Sequence, residues 1–253
     1  MRYLILSDIH ANAVAFEAVL KHAERKRWDQ VIFLGDVVGY YTQPEPATTM
    51  LRELEPGASL LGNHDALMLS LKQEGIEAGL REESLVTGIL TEHLEQLSGD
   101  NLAFVGSFEQ RVRTDAWEAV HGALRSPWEY LRSLAHAQAN LPLMSADLCF
   151  VGHTHIPIAF ACVSDGEREL WRAVQFRLEH AVYRLPPKAR VFFNPGSVGQ
   201  PRDGIPLASY AIFDAGLRTI ELFRVPFDIP KVRRLVVEQG YPELLGARLE
   251  TGQ

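Results

Sequence analysis

The chain has 253 residues, of which 47% are hydrophobic and 23% charged, and its formal net charge is −7. A globule of this length buries roughly three quarters of its unfolded surface, so its core needs no disulfide. The acidic balance and the lack of a Lys/Arg stripe argue against duplex nucleic acid as a partner, because that affinity rests on neutralising phosphates.

The first half alternates. Arg2–Leu6 is a short apolar run suited to a central strand. Val14, Ala15, Ala18, Val19 and Ala23 have helical spacing within 12–27. A strand is expected over 30–34, a helix over 45–54 beginning near Pro44 and Pro46, and a strand over 59–61. Residues 65–97 read as helical, with Leu67, Leu71, Leu85, Ile89, Leu90, Leu94 and Leu97 as the apolar positions. Strand–helix–strand order argues for parallel strands with helices packed outside.

The second half changes character. Strands are expected over 110–113 and 117–121, then a helix over 128–144 broken near Pro142. Strand-like runs follow over 148–151, 157–163, 169–173, 190–193, 209–213 and 219–225, several with period-two alternation. Helices over 229–239 and 242–249 close the chain. No long linker, low-complexity segment or internal repeat interrupts it, so 1–253 reads as one α/β domain. A parallel half and an antiparallel-looking half suggest two sheets packed face to face, with helices on both outer faces.

Cys149 and Cys162 lie inside apolar runs without a CxxC partner and read as core thiols of a reducing compartment. No charged stretch followed by an apolar one marks a signal peptide, and no apolar run nears the roughly 20 residues that span a bilayer. A cytoplasmic location without a membrane partner is expected.

Five strand ends carry the chemistry. Asp8 and His10, two apart, would point to one side if the strand geometry persisted, and could grip a metal or cap a turn. Asp36 follows Gly35 after the second strand, at the edge where ligands gather in open α/β folds. Its two oxygens could bridge two cations. In Gly62-Asn63-His64-Asp65, Asn63 could offer a side-chain oxygen, His64 could face a substrate, and Asp65 could orient an imidazole or cap the next helix. His121 ends a strand before Gly122, and Gly152-His153-Thr154-His155 offers two imidazoles. Of the nine histidines, these five sit just past strand-like runs, each with a Gly, Asp or Asn within three residues. His22, His93, His136 and His180 fall in helical or irregular stretches and read as ordinary surface or core positions.

In this order the motifs resemble the calcineurin-like metallophosphoesterase superfamily. The resemblance spans about residues 8 to 155 and implies a four-layer α/β/β/α sandwich of two mixed sheets around a two-metal centre. It implies that Asp8, His10, Asp36 and His155 hold one ion and that Asp36, Asn63, His121 and His153 hold the other, with Asp36 bridging. His64 would be the non-ligand histidine nearest the scissile phosphate. Phosphoprotein phosphatases of this superfamily follow the bridging Asp with an Asp-Arg-Gly run, whereas this chain has Val37-Val38-Gly39-Tyr40-Tyr41. That departure favours the small prokaryotic phosphodiesterase-like branch, which Asn12 and the run from Asn194 to Arg202 also resemble.

The implied reaction is hydrolysis of phosphodiesters or small nucleotides by a hydroxide that two divalent ions generate, with His64 giving a proton to the leaving oxygen. Mixed Asp/Asn/His ligands suit Mn²⁺, Fe²⁺, Zn²⁺ or Co²⁺ better than Ca²⁺, and the resemblance makes Mn²⁺ the first choice. Substrate contacts are expected from Asn12, which could cap the first helix or meet a phosphate oxygen, and from Arg202. Tyr40 and Tyr41 could stack on a base or anchor a loop, and Arg125 and Trp128 are comparable candidates. The alternatives are a phosphomonoesterase, including a phosphoprotein phosphatase, and an inactive protein-binding scaffold of the kind found in the retromer coat. No sequence feature bears on oligomeric state.

Overall fold

The computed structural model describes residues 1–74, 84–164, 166 and 168–253. Two six-stranded sheets pack face to face. The first runs β3-β2-β1-β11-β12-β9 and the second β4-β5-β6-β10-β7-β8. In the first, β1 (Arg2–Leu6), β2 (Gln30–Phe33) and β3 (Ala58–Ser59) are parallel. They are joined antiparallel to β11 (Ala208–Asp214), β12 (Thr219–Val225) and β9 (His180–Arg184). The second has β4 (Arg111–Arg113), β5 (Glu118–Val120), β6 (Leu148–Phe150), β10 (Ala189–Asn194), β7 (Ile158–Ser164) and β8 (Glu169–Gln175). Parallel and antiparallel strands thus mix within each sheet, because the chain returns to the first sheet after building the second.

Period-two alternation divides the strand residues between layers. Ile5, Ile32, Ala211 and Leu222 face Ala119, Phe150, Val191 and Phe193 in the core between the sheets. Leu4, Leu6, Val31, Phe33 and Tyr210 face outward, under α1 (Ala13–Ala23), α2 (Pro44–Glu53), α3 (Asn63–Glu74), α4 (Ser84–Gln96) and α5 (Gly99–Gly106). On the far side, Cys149, Phe160, Cys162 and Phe192 pack under α6 (Leu134–Asn140) and the 3₁₀ turn Leu141–Leu143. Both thiols are buried and free. Helices α7 (Ile229–Glu238) and α8 (Glu243–Thr251) pack on Val14, Tyr41 and Ile89.

The expected elements occur with ends shifted by a few residues, with four differences. The 65–97 helix is at least two elements, α3 and α4, and its stretch 75–83 lies outside the described residues. Helix α5 opens on Gly99-Asp100-Asn101, residues with little helical signal, and Ser98 caps it by accepting from the Asn101 N–H (3.3 Å). Strand β9 has short, half-exposed alternation and places His180 in a sheet rather than in a helical or irregular stretch. The expected helix over 128–144 begins only at Leu134, capped by Ser133. Residues 128–133 form a loop in which the Trp128 carbonyl turns to His153 rather than to a helical N–H.

Candidate metal centre

The loops leaving β1, β2, β5 and β6 converge on one edge of the sandwich. Strand β1 ends at Leu6, and Asp8 and His10 then adopt positive φ, 53° and 51°. Left-handed turns therefore bring these two side chains together, where a continuing strand was expected to. Asp36 (61°), His153 (63°) and His155 (59°) also occupy this region. A residue held in such a conformation costs about 1–3 kcal/mol, so its surroundings must impose it. Here backbone hydrogen bonds between the loops do so. The Asp8 N–H donates to Gly35 (2.9 Å), His10 to Asp36 (3.0 Å), Gly152 to His121 (2.7 Å) and Gly199 to Asp8 (2.9 Å).

The ligand atoms fall into overlapping groups. Those of Asp8, His10 and His155 lie within 4.8 Å of one another, as do those of Asp36, His121 and His153. His64 forms a third such group with His10 and Asp36. Asp36 Oδ2 stands between the first two, 3.8 Å from His10 Nε2 and 3.3 Å from His121 Nε2. Asn63 Oδ1 is 3.2 Å from His121 Nε2.

Backbone carbonyls define the tautomers. His10 Nδ1 lies 3.0 Å from the Val38 oxygen, His121 Nδ1 2.7 Å from Leu34 and His155 Nδ1 2.6 Å from Gln200. A carbonyl only accepts, so each Nδ1 carries a hydrogen and Nε2 is the nitrogen turned to the centre. His153 is reversed: its Nε2 donates to Trp128 (3.1 Å), which frees Nδ1. Asp8 Oδ1 is buried and has no hydrogen-bond partner. Such inward-facing imidazole and carboxylate donors fit borderline divalent metals.

The electrostatics agree. Burial raises Asp8 and Asp36, but the surrounding imidazoles together outweigh it, His155 foremost at Asp8 and His121 at Asp36, and both carboxyls are held well below their usual range. Burial opposes protonation of His121, yet Asp36 lifts that imidazole to about 9. Burial lowers His10 and His155, and brings His153 to about 4. The site is thus short of positive charge.

His64 sits over this pair of groups. Its backbone N–H donates to Asp36 Oδ1 (2.9 Å), its ring lies against His10 and Tyr40 (centroids 4.8 and 4.6 Å), and its buried Nδ1 has no partner among the described residues. Burial takes it down to about 4, against Asp36. Gly39, at φ +95°, passes beneath the ring where a Cβ would collide with Nδ1. Asp65 serves the scaffold: its carboxylate accepts from the Asp36, Val37, Val38 and Gly62 N–H groups, closing the start of α3 while clamping the Asp36 loop.

The expected substrate contacts separate. Asn12 is fully buried, and its amide accepts from the Ala15 N–H (3.1 Å) and donates to the Gly199 carbonyl (2.8 Å). That amide joins the start of α1 to the Gly199 loop instead of facing outward to a phosphate. Tyr41 is a loop anchor, donating to the Leu245 carbonyl and accepting from Gln200 Nε2, both at 3.2 Å. Tyr40 is half-buried over His10 (4.7 Å) with the Arg202 guanidinium 5.4 Å from its ring, and Gln200 Oε1 orients Arg202. Arg125 is exposed and paired with Glu129. Two residues near the site escaped sequence reasoning. His93 accepts from the Gly39 N–H (3.2 Å) and lies 2.7 Å from the Tyr41 carbonyl. Tyr130 stacks on His153. Strand-end position, the signal used for the other histidines, could not find His93 on a helix.

Among the described residues, no helix is long and apolar enough to cross a membrane. Residues 1–216 match the family model described as a calcineurin-like phosphoesterase superfamily domain. A protein of Methanocaldococcus jannaschii is 33% identical over 255 residues, covering 98% of this chain and 97% of that protein. The crystal structure of a metallophosphoesterase from Sphaerobacter thermophilus superposes with a TM-score of 0.84 at 35% identity, covering 100% of both chains. A hypothetical protein from Pyrococcus horikoshii shares the fold at 16% identity and a TM-score of 0.77, covering 100% of this chain and 98% of that one. With the ligand motifs gathered at one sheet edge and these likenesses running along its whole length, the chain belongs to the calcineurin-like phosphoesterase superfamily and is a phosphoester hydrolase of its prokaryotic metallophosphoesterase branch.

Proposed function

We propose that this hydrolase acts on phosphodiesters or small nucleotides through a dinuclear centre. Asp8, His10, Asp36 and His155 would hold one divalent ion, and Asp36, Asn63, His121 and His153 the other, with Asp36 shared. The observation that carries the reading is the 3.1 Å approach of His10 Nε2 to His155 Nε2, two lone pairs that a cation would reconcile. Mn²⁺ is the first choice, with Fe²⁺, Zn²⁺ and Co²⁺ as alternatives. When bound, such a pair of ions lowers the pKa of water toward neutrality and offsets charge on phosphoryl oxygens.

The chain's own residues supply the rest. His64 gives a proton to the leaving oxygen, and the anionic phosphate beside the ring favours the protonated imidazole that burial disfavours. Arg202 neutralises a phosphoryl oxygen from the Tyr40 side, oriented by Gln200. Asp65 and Asn12 hold the loops that carry the ligands. The two C-terminal helices lie beyond the family match but anchor Tyr41 through Leu245 and Leu249, which supports residues 1–253 working as one unit. The two buried free thiols support a reducing, cytoplasmic setting.

Parallel assays of the Mn²⁺-loaded chain on bis-p-nitrophenyl phosphate and p-nitrophenyl phosphate test the reading. Faster diester turnover is expected. Faster monoester turnover would move the assignment to a phosphomonoesterase, and inertness with every metal would leave the scaffold alternative.

A further inference from the structure

Of the Phe, Tyr and Trp side chains among the described residues, only Trp128 and Tyr130 are exposed, by 37% and 41%. Both belong to the loop between β5 and α6, and that loop reaches into the metal centre. The Trp128 carbonyl accepts from His153 Nε2 at 3.1 Å. The Tyr130 ring stacks on the His153 imidazole, with centroids 4.0 Å apart and planes 21° from parallel. The Trp128 ring meets the edge of His121 at 6.2 Å.

A chain that buries or half-buries every other large ring leaves these two in water beside its ligand histidines. Exposed apolar surface of that kind marks a binding site more often than a random position. Charge accompanies it, since the Arg132 guanidinium lies 5.6 Å from the Tyr130 centroid. Across the centre, Tyr40 and Arg202 repeat the pairing of ring and cation. Rings flanked by arginines and next to a phosphate-handling centre suit a ligand that is itself a planar ring joined to phosphate. An aliphatic ester would leave both rings uncovered.

We infer that the loop after β5 is a nucleobase platform: Trp128 and Tyr130 stack the base of a nucleoside phosphoester whose phosphate occupies the metal centre. Arg132 faces any further phosphate. The inference rests on the dinuclear reading above and narrows its substrate class to nucleotides.

Isothermal titration of the Mn²⁺-loaded full chain with two uncleavable phosphonates tests it, one an analogue of AMP and the other of ribose 5-phosphate. The two differ only by the base. Tighter binding of the AMP analogue by at least about 5-fold is expected, the lower end of what a base stacked on aromatic side chains contributes. That ratio should survive Tyr130→Phe and fall toward unity in Trp128→Leu and Tyr130→Leu. Metal content is measured alongside, so that displacement of His153 by Tyr130→Leu is recognised and the ratio is then read from Trp128→Leu. Equal affinities in the unaltered chain, or a ratio that both leucine variants retain, would overturn the platform and leave the rings to a protein partner. Failure of the loaded chain to bind either phosphonate would overturn the metal-centre reading together with the platform.

Discussion

His10 and His155 face each other with their Nε2 atoms 3.1 Å apart, while each directs its other ring nitrogen to a backbone carbonyl, Val38 for His10 and Gln200 for His155. Neither imidazole can donate to the other in that tautomer, so the contact is repulsive until a cation or an extra proton enters. Asp8 Oδ1 lies 3.3 Å from one ring and 3.9 Å from the other, without a hydrogen-bond donor of its own. The fold imposes this arrangement through left-handed backbone at Asp8, His10 and His155, and so holds a repulsion that a bound cation would relieve.

Metal removal should therefore destabilise the chain. A ligand present at 100 times its dissociation constant contributes about 2.7 kcal/mol per site, which for a domain of this size moves Tm by several degrees. Differential scanning calorimetry before and after chelation, then with Mn²⁺ restored, should show Tm fall and recover. An unchanged Tm would mean that the buried donors have another source of compensation.

His64→Ala should lower kcat by about 10²–10⁴-fold, the usual worth of a general acid. It should leave the metal content unchanged, because His64 touches the centre without belonging to either proposed ligand set. Metal analysis and steady-state kinetics on the same preparation separate the two effects. Full activity would remove His64 from the mechanism.

Gly62→Ala should damage the centre without replacing any of the proposed ligands. A Cβ at residue 62 would collide with the backbone nitrogen and the carboxylate of Asp36. The backbone cannot yield cheaply, so a stability loss of about 1–3 kcal/mol is expected together with lost metal affinity. Gly88→Ala is the control. It lies within α4 with nothing within 4 Å of an added Cβ, and should be neutral or stabilise by roughly 1 kcal/mol. Denaturant melts of both variants show whether position, rather than the loss of a glycine, decides the outcome.

His93 should make stability depend on pH. Burial lowers its pKa from 6.5 to about 4 in the folded chain. Between those values the unfolded chain takes up a proton that the folded chain refuses, so stability is full above 6.5 and falls as pH drops toward 4. The loss reaches up to ~3 kcal/mol. His93→Gln keeps an acceptor and a donor for Gly39 and Tyr41 but cannot titrate. Its Tm should fall less steeply than that of the unaltered chain between pH 7 and pH 5. Identical slopes would exclude His93 as the source.

The convergence of the candidate ligands was legible because metal chemistry restricts residue type and sheet topology restricts position. Asp8, Asp36, His121 and His155 each follow an apolar strand, and strand ends on one edge meet. How they meet was not legible. Alternation along a strand would have aimed Asp8 and His10 together, whereas the chain uses left-handed turns tied to the Gly35, Asp36 and Gly199 loops. The stretch from Trp128 to Ser133 was misread as helix because its apolar residues have helical spacing. Tertiary contact with His153 overrides that spacing and turns the Trp128 carbonyl out of helical geometry. Tyr130 went unnoticed for the same reason. Asp65 closes the start of α3, one of the roles expected of it, but its clamp on the Asp36 loop was hidden, because those partners are backbone N–H groups about thirty residues away in sequence, which leave no mark on residue type.

Metal content per chain tests the dinuclear centre most directly. After loading with Mn²⁺ and removal of free metal, elemental analysis of the unaltered chain should give about two ions per chain, and Asp36→Asn should lose at least one of them while remaining folded. A single ion in the unaltered chain, or full retention of both in Asp36→Asn, would contradict a centre in which Asp36 joins two cations.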